Sequence, residues 1–300
     1  MAKNLRAWLA LSRPPFHSVG VLPFILGGVL AWRQGTFRWD IAAWGVLGVV
    51  LVMLATYYAG EYWDYVEDSL GRGPSRFSGG SQVVQRGLLP RHAALRASLV
   101  SLLLAGGVGL ILQLGYRTGP WTIPLGLLGM VGGFFYSTRP LRWVSRGWGE
   151  LWIAFCYGWL PVAVGYYLQT GEITPLIHWL AVPIGLTIFN VILLNESPDY
   201  PADLAAGKTN LTVRLGREWA SRLYGLAGLG SGAAVLFSLG HGVPARALWF
   251  YLPVLFLSLI LVVQVMRGRW RDRSALERLC AANLAVNLGT TAAYIFTFIT

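Results

Sequence analysis

Apolar runs recur along almost the whole of this 300-residue chain and exclude most water-soluble folds. Nine of them, near residues 18–34, 41–62, 93–115, 119–137, 149–169, 175–195, 219–240, 246–266 and 278–298, each approach the roughly 20 residues that a helix needs to cross a bilayer. A backbone in hydrocarbon must satisfy its own hydrogen bonds, so such runs fold as helices. Residues are 55% hydrophobic and 12% charged, which fits membrane spans separated by short polar loops. The expected fold is an all-α polytopic membrane bundle of about nine transmembrane helices. It reads as a single domain over 1–300, with two loosely related halves of about 1–145 and 146–300. Pro23 and Pro183 fall inside the first and sixth runs, where neighbouring helices can satisfy the freed backbone groups.

The net charge of +11 does not indicate nucleic-acid binding, because the cations alternate between loops rather than forming one face. Twenty of the 24 Lys and Arg residues fall on one side of the nine runs, and only Arg33, Arg38, Arg117 and Arg246 fall on the other. The positive-inside rule then places the N-terminus in the cytoplasm and the C-terminus outside. No short apolar core leads to a small-residue cleavage site near the start, so no cleavable signal peptide is expected. Cys156 and Cys280 both lie in apolar runs and read as small buried hydrophobes, and the four histidines are scattered.

Seven of the 13 acidic residues sit in two stretches at the ends of the second and sixth runs. The first is Gly60-Glu61-Tyr62-Trp63-Asp64-Tyr65-Val66-Glu67-Asp68, and the second is Asn195-Glu196-Ser197-Pro198-Asp199-Tyr200-Pro201-Ala202-Asp203. Acids at membrane depth are costly and usually functional. Glu61, Asp64 and Asp68 are spaced to share one helical face, as are Asn195, Asp199 and Asp203, although Pro198 and Pro201 make the second helix end irregular. Both clusters fall on the cytoplasmic side. Facing carboxylates repel, and a magnesium-like cation relieves that repulsion while leaving coordination positions for phosphate oxygens. The expected ligand is a diphosphate, further neutralised by Arg72, Arg76, Arg142 and Lys208. The plainer alternative is a pair of solvated helix ends bridged to loop arginines.

These motifs closely resemble the UbiA superfamily of intramembrane prenyltransferases, which carries two aspartate-rich motifs on nine helices. Within it the chain is most similar to the menaquinone-type branch, the 1,4-dihydroxy-2-naphthoate polyprenyltransferases. Glu61 to Tyr65, Ser78-Gly79-Gly80-Ser81 leading to Arg86-Gly87-Leu88-Leu89, Tyr136 to Glu150, and Asn195 through Gly216 carry the likeness. One departure stands out. Gly60 replaces the usual Asn and has no ligating side chain, leaving the neighbouring Glu61 as the substitute.

The resemblance implies magnesium-dependent transfer of a polyprenyl group from an isoprenyl diphosphate to an aromatic acceptor in quinone biosynthesis. The partners would be those two substrates and the lipid bilayer, with no nucleic acid. Two or more magnesium ions would be held by Glu61, Asp64, Asp68, Asn195, Asp199 and Asp203. Asp64, Asp68, Asp199 and Asp203 would be the catalytic core of that set. Tyr62, Trp63 and Tyr65 are the candidates for the substrate chamber, and Arg13-Pro14-Pro15 for its border. The expected location is a prokaryotic inner or plasma membrane, with the active site facing the cytoplasm. A terpene cyclase on the same scaffold, capturing the cation with the substrate's own double bond, is the rival reading. A transporter or lipid-binding protein is the more distant one.

Overall fold

Apolar side chains all round a segment leave the helix as the one way to pair its backbone, and the runs fold accordingly. The computed structural model describes residues 2–71, 77 and 80–300, and among them it contains helices and no strand. In chain order the helices are α1 (Ala2–Ser12), α2 (Ser18–Arg33), α3 (Trp39–Trp63), α4 (Tyr65–Leu70), α5 (Arg91–Leu110), α6 (Thr122–Ser137), α7 (Gly149–Ala154), α8 (Leu160–Thr170), α9 (Pro175–Asn195), α10 (Tyr200–Ala205), α11 (Leu211–Leu215), α12 (Arg217–Leu239), α13 (Ala247–Met266) and α14 (Arg273–Ile299).

Eight helical stretches among the described residues are long and apolar enough to cross a membrane. The remaining run, the fourth, is shorter than its sequence suggested. α6 has only 16 residues, because Gly119 with φ +112° and the turn at Pro120 and Trp121 delay its start. At 1.5 Å per residue it rises about 24 Å, less than the hydrocarbon thickness of about 30 Å. The N-terminus differs too. The residues before the first run form the helix α1, which packs Ala7, Trp8 and Leu11 against Tyr58, Val83, Val84 and Leu89.

Lipid tails are as apolar as the helices, so close packing rather than hydrophobic burial has to hold these spans together. Glycines provide it. Gly27 of α2 lies against the Val162 carbonyl of α8, and Gly165 of α8 against the Phe24 carbonyl of α2. A Cβ at either position would collide with backbone. Gly158, in the wide turn Phe155–Trp159 that joins α7 to α8, meets Gly185 of α9 in the same way. α3, α5 and α6 pack together on one side of the α2–α8 pair, and α9, α12, α13 and α14 pack on the other. α3 and α9 end at the same end of the bundle, where the short helices α4 and α10 that follow them touch each other.

Gly165→Leu is expected to force α2 and α8 apart and to cost at least about 1–3 kcal/mol. Gly126→Ala, whose Cβ meets nothing within 4 Å, should leave stability unchanged. Thermal unfolding midpoints in detergent would check the pair.

Candidate active site

The acidic stretch after α3 does not continue as one straight helix. Asp64 stands between α3 and α4 with φ −92° and ψ 13°, yet its N–H still reaches the Gly60 carbonyl and its own carbonyl still accepts from Asp68. The near-helical path keeps Glu61, Asp64 and Asp68 on one side. The second stretch is more broken. Asn195 ends α9, a turn follows, and Asp199 precedes α10, which carries Asp203. Between the two stretches lies a cavity of about 240 Å³. Glu61, Asp64, Asp68, Asn195, Asp199, Asp203 and Lys208 all line it, so the two clusters do share one site.

Each acid is placed by a different partner. Ser137, at the end of α6, donates to Asp64 Oδ2 at 2.7 Å, and Arg142 reaches Asp64 Oδ1 at 3.3 Å. Arg142 also pairs closely with Glu67. Burial pushes the Glu67 carboxyl upward, but the Arg142 hydrogen bond and charge outweigh it and hold the group below its usual range. Asp203 is only 4% exposed, accepts from Asn210 Nδ2 at 2.8 Å and pairs with Lys208 Nζ at 3.1 Å. Burial would lower the Lys208 ammonium, yet the charges of Asp64, Asp203 and Asp68 raise it above its ordinary value. Asp68 is pushed up to about 8, first by burial and then by the Asp64 charge, with Lys208 opposing. Burial, and then the adjacent Glu150, push Glu196 upward as well.

Several expectations need correction. Arg142 does not line the cavity; it organises the first acidic stretch from behind, engaged by Asp64 and Glu67. Tyr62, Trp63 and Tyr65 are not on the cavity wall either. They follow the acids by one residue or precede them by one, about 100° round the helix, and this turns Tyr62 and Tyr65 toward Arg91, whose guanidinium lies 4.4 Å and 5.1 Å from their rings. Arg72, Arg76 and Ser78-Gly79 lie outside the described residues. The aromatic wall is formed instead by Phe16, Tyr57, Phe77, Tyr136 and Tyr157. Of these, Tyr57 was legible, four residues before Glu61 on the same face of α3.

Glu61 is 2% exposed, and its Oε1 accepts from the Ser81 N–H at 2.6 Å and from Arg13 at 3.4 Å. It therefore fastens the loop after α4 and the turn after α1 to the cavity edge. Arg13 itself sits in the left-handed region at φ 48° and lines the cavity. At Gly60 a Cβ would meet Ser137 Oγ at 3.6 Å and Asp64 Oδ2 at 3.8 Å, ordinary contacts that leave room for a side chain. Glu150, in α7, accepts the Leu211 N–H at 2.6 Å, and Glu196 accepts the Thr212 N–H at 3.3 Å, tying α11 over the site.

Among the described residues six carboxylates line the cavity against two cations, Arg13 and Lys208. The Asn195 Oδ1 atom is buried without a hydrogen-bond partner. Among the described residues no three acidic side chains converge closely enough to cage an ion alone. That is the donor set of a hard cation such as magnesium, which takes one or two carboxylates and completes its shell with water and phosphate. Below the acids the cavity meets an apolar chamber of about 140 Å³ between α3, α5, α6 and α8, with Thr56, Tyr136, Ile153 and Tyr157 on both.

Comparison with known proteins agrees with this arrangement. The UbiA prenyltransferase family pattern matches residues 21–287. The chain belongs to the UbiA prenyltransferase family. It is an integral membrane enzyme of that family. It is 28% identical over 295 residues to a 1,4-dihydroxy-2-naphthoate octaprenyltransferase of Escherichia coli, covering 94% of this chain and 93% of the relative. A 2-carboxy-1,4-naphthoquinone phytyltransferase of Synechocystis is 25% identical, over 94% of this chain and 89% of that one. The solved structure of a UbiA homolog from Archaeoglobus fulgidus bound to GPP and Mg2+ superimposes with a TM-score of 0.67 at 15% identity, covering 97% of this chain and 99% of that chain. At that identity it shows the shared fold.

The raised Asp68 has a measurable consequence. A carboxyl shifted from 3.8 to about 8 binds its proton more tightly in the folded chain than in the unfolded one, so stability falls as pH rises between those values. The thermal midpoint of chelator-treated protein should drop from pH 6 to pH 9, and Asp68→Asn should flatten that slope. Added magnesium chloride should raise the midpoint more at pH 9 than at pH 6.

Proposed function

We propose that this UbiA-family enzyme transfers a polyprenyl group from an isoprenyl diphosphate to an aromatic acceptor resembling 1,4-dihydroxy-2-naphthoate, on the cytoplasmic side of a prokaryotic membrane. The observation that carries this reading is charge. Among the described residues six carboxylates and two cations line the cavity, an excess of negative charge that favours a diphosphate accompanied by divalent cations over a bare one. Asp64, Asp68, Asn195, Asp199 and Asp203 would hold two or more magnesium ions, with Glu61 too engaged with Ser81 and Arg13 to contribute more than its free Oε2. Magnesium bound there would neutralise the diphosphate and stabilise it as a leaving group. The distribution of Lys and Arg supports the cytoplasmic placement.

The chain's own residues do the rest. Lys208, fixed by Asp203, places a permanent positive charge beside the leaving group. Arg13 supplies a second at the cavity mouth. When the allylic C–O bond breaks, the diphosphate leaves with the electron pair, the acceptor's ring carbon attacks the resulting cation, and that carbon then loses its proton to the departing diphosphate, or its carboxyl group as CO2, to restore the aromatic ring. The faces of Tyr57, Tyr136 and Tyr157 suit a cation held nearby. The apolar chamber takes the prenyl tail and keeps water from the cation. The names of the relatives support a naphthoate or naphthoquinone acceptor.

The test uses purified protein with magnesium and geranylgeranyl diphosphate, with and without 1,4-dihydroxy-2-naphthoate, and products read by mass spectrometry. A prenylated product is expected with the acceptor alone, and Asp64→Asn or Asp199→Asn should reduce its rate by about 10²-fold or more. A cyclic hydrocarbon or alcohol formed without acceptor would replace this reading with a terpene cyclase.

The chamber makes a separate prediction. Gly126 lines it, and its Cβ position is open space, so Gly126→Phe adds bulk at the chamber wall. Competition between geranyl and longer diphosphates should shift toward the shorter donor in this variant. An unchanged preference would mean that the tail takes another path.

A further inference from the structure

The stretch Tyr136 to Glu150 closes on Gly147-Trp148-Gly149-Glu150, and none of these last four residues lines the acidic cavity. Close approach explains the two glycines. Gly147 has φ +68°, and a Cβ there would meet Arg214 Nε of α11 at 2.7 Å. A Cβ on Gly149 would meet the Trp143 carbonyl oxygen at 2.8 Å. The glycines let α11 and the turn before α7 pack against each other, which brings Glu150 to the first turn of α11.

Glu150 stands at the start of α7 and is 1% exposed. Its Oε1 accepts the Leu211 N–H at 2.6 Å, and its Oε2 is buried without a hydrogen-bond partner. Burying a carboxyl group costs free energy that one hydrogen bond does not repay, which points to a role other than stability. That bond reaches the cavity through a short strap, residues 208–211. Asn210 donates to Asp203 Oδ2 at 2.8 Å, and Lys208 Nζ pairs with the other oxygen of that carboxylate at 3.1 Å. Thr209, between them, donates its N–H and its hydroxyl to the Ser145 carbonyl, at 3.2 Å and 2.6 Å. Lys208 and Asn210 both line the cavity. A lysine ammonium sits on a flexible four-carbon stem, so its place depends on how the backbone beneath it is held. Ser145 and Glu150 hold that backbone from the α7 side, and Asp203 holds it from the cavity side.

We propose that Glu150 is a positioning residue: by accepting the Leu211 N–H it fixes the backbone of the strap, and so fixes the Lys208 ammonium where a diphosphate meets it. This role rests on the diphosphate reading of the acidic cavity, and it holds for transfer and for cyclisation alike. Glu150 touches neither substrate nor metal in it and acts through Lys208.

Titration calorimetry would compare the affinity for inorganic diphosphate, with magnesium chloride present, of the wild type, Lys208→Gln, Glu150→Leu, Glu150→Gln and the double variant Glu150→Leu/Lys208→Gln. Loss of the charge-assisted contact predicts binding about tenfold weaker in Lys208→Gln. Glu150→Leu is close in size but offers no acceptor, and should bind about threefold or more weakly. Glu150→Gln keeps an oxygen for the Leu211 N–H and should bind like the wild type. The double variant should lose no more than Lys208→Gln alone, because one residue acts through the other. Losses that multiply in the double variant, wild-type affinity in folded Glu150→Leu, or an equal loss in Glu150→Gln would each overturn the role. Thr209 is exposed, and Thr209→Val frees the same strap from Ser145. It replaces Glu150→Leu in the cycle, with the same expectation of no added loss beside Lys208→Gln, if the thermal midpoint shows that Glu150→Leu has not folded. No binding by the wild type would overturn the diphosphate site itself and this role with it, so the two failures are told apart.

Discussion

Six carboxylates facing one cavity at the end of a membrane bundle is an arrangement that electrostatics resists, and the neighbouring structure is organised around holding it. Arg142 takes up Glu67 and part of Asp64 from behind. Lys208 takes up Asp203, and Asn210 donates to the other oxygen of that carboxylate while its own carbonyl caps α11. These contacts neutralise the rear of each cluster and leave the front under-neutralised. Asp68 is where the remaining repulsion collects, and its raised pKa follows from that. Protons relieve the strain in the free protein, and hard cations can take their place.

The helix contacts and the chemistry are coupled through glycine. Close approach of α2 to α8, and of the wide turn before α8 to α9, uses Gly27, Gly165, Gly158 and Gly185 to bring backbones together. On the other side of α8 a glycine has the opposite effect. Gly126 of α6, whose Cβ position meets nothing within 4 Å, leaves space unfilled and so widens the apolar chamber. The same residue type packs where a backbone faces it and hollows where nothing does. The chamber is walled mainly by apolar residues such as Val52, Met53, Leu125 and Leu160, with Thr56, Tyr136 and Tyr157 toward the acidic cavity.

Much of this was legible in the chain. Run length foretold the passes, and the spacing of Glu61, Asp64 and Asp68 and of Asn195, Asp199 and Asp203 foretold a shared cavity despite the breaks at Asp64 and Glu196. The alternation of Lys and Arg put both clusters at one end before any packing was known. What escaped was direction and distance. Periodicity says that Tyr62 and Tyr65 are near the acids, but only the packed position of Arg91 shows that they turn from the cavity. Likewise Arg142 has the right charge for a diphosphate contact, yet Glu67 lies closer to it than the cavity does. α1 is too short to cross a bilayer and so did not stand out as a run, and its partners Val83, Val84 and Leu89 lie some 75 residues on from Trp8.

Gly60 and Glu61 are best understood together. A carboxylate at 61 has the charge for a metal ligand, but its Oε1 is committed to the Ser81 N–H and to Arg13. Those two contacts join segments far apart in the chain, the turn after α1 and the loop after α4, at the rim of the site. Gly60 meanwhile presents no side chain beside Asp64 and Ser137, where a Cβ would make only ordinary contacts. Magnesium dehydrates reluctantly and keeps several waters, so space beside a carboxylate is itself compatible with a bound ion. The pair therefore sets a rim anchor beside a position with no side chain: Glu61 keeps Arg13 directed at the cavity in a backbone conformation that arginine alone would not favour, and Gly60 adds nothing next to Asp64.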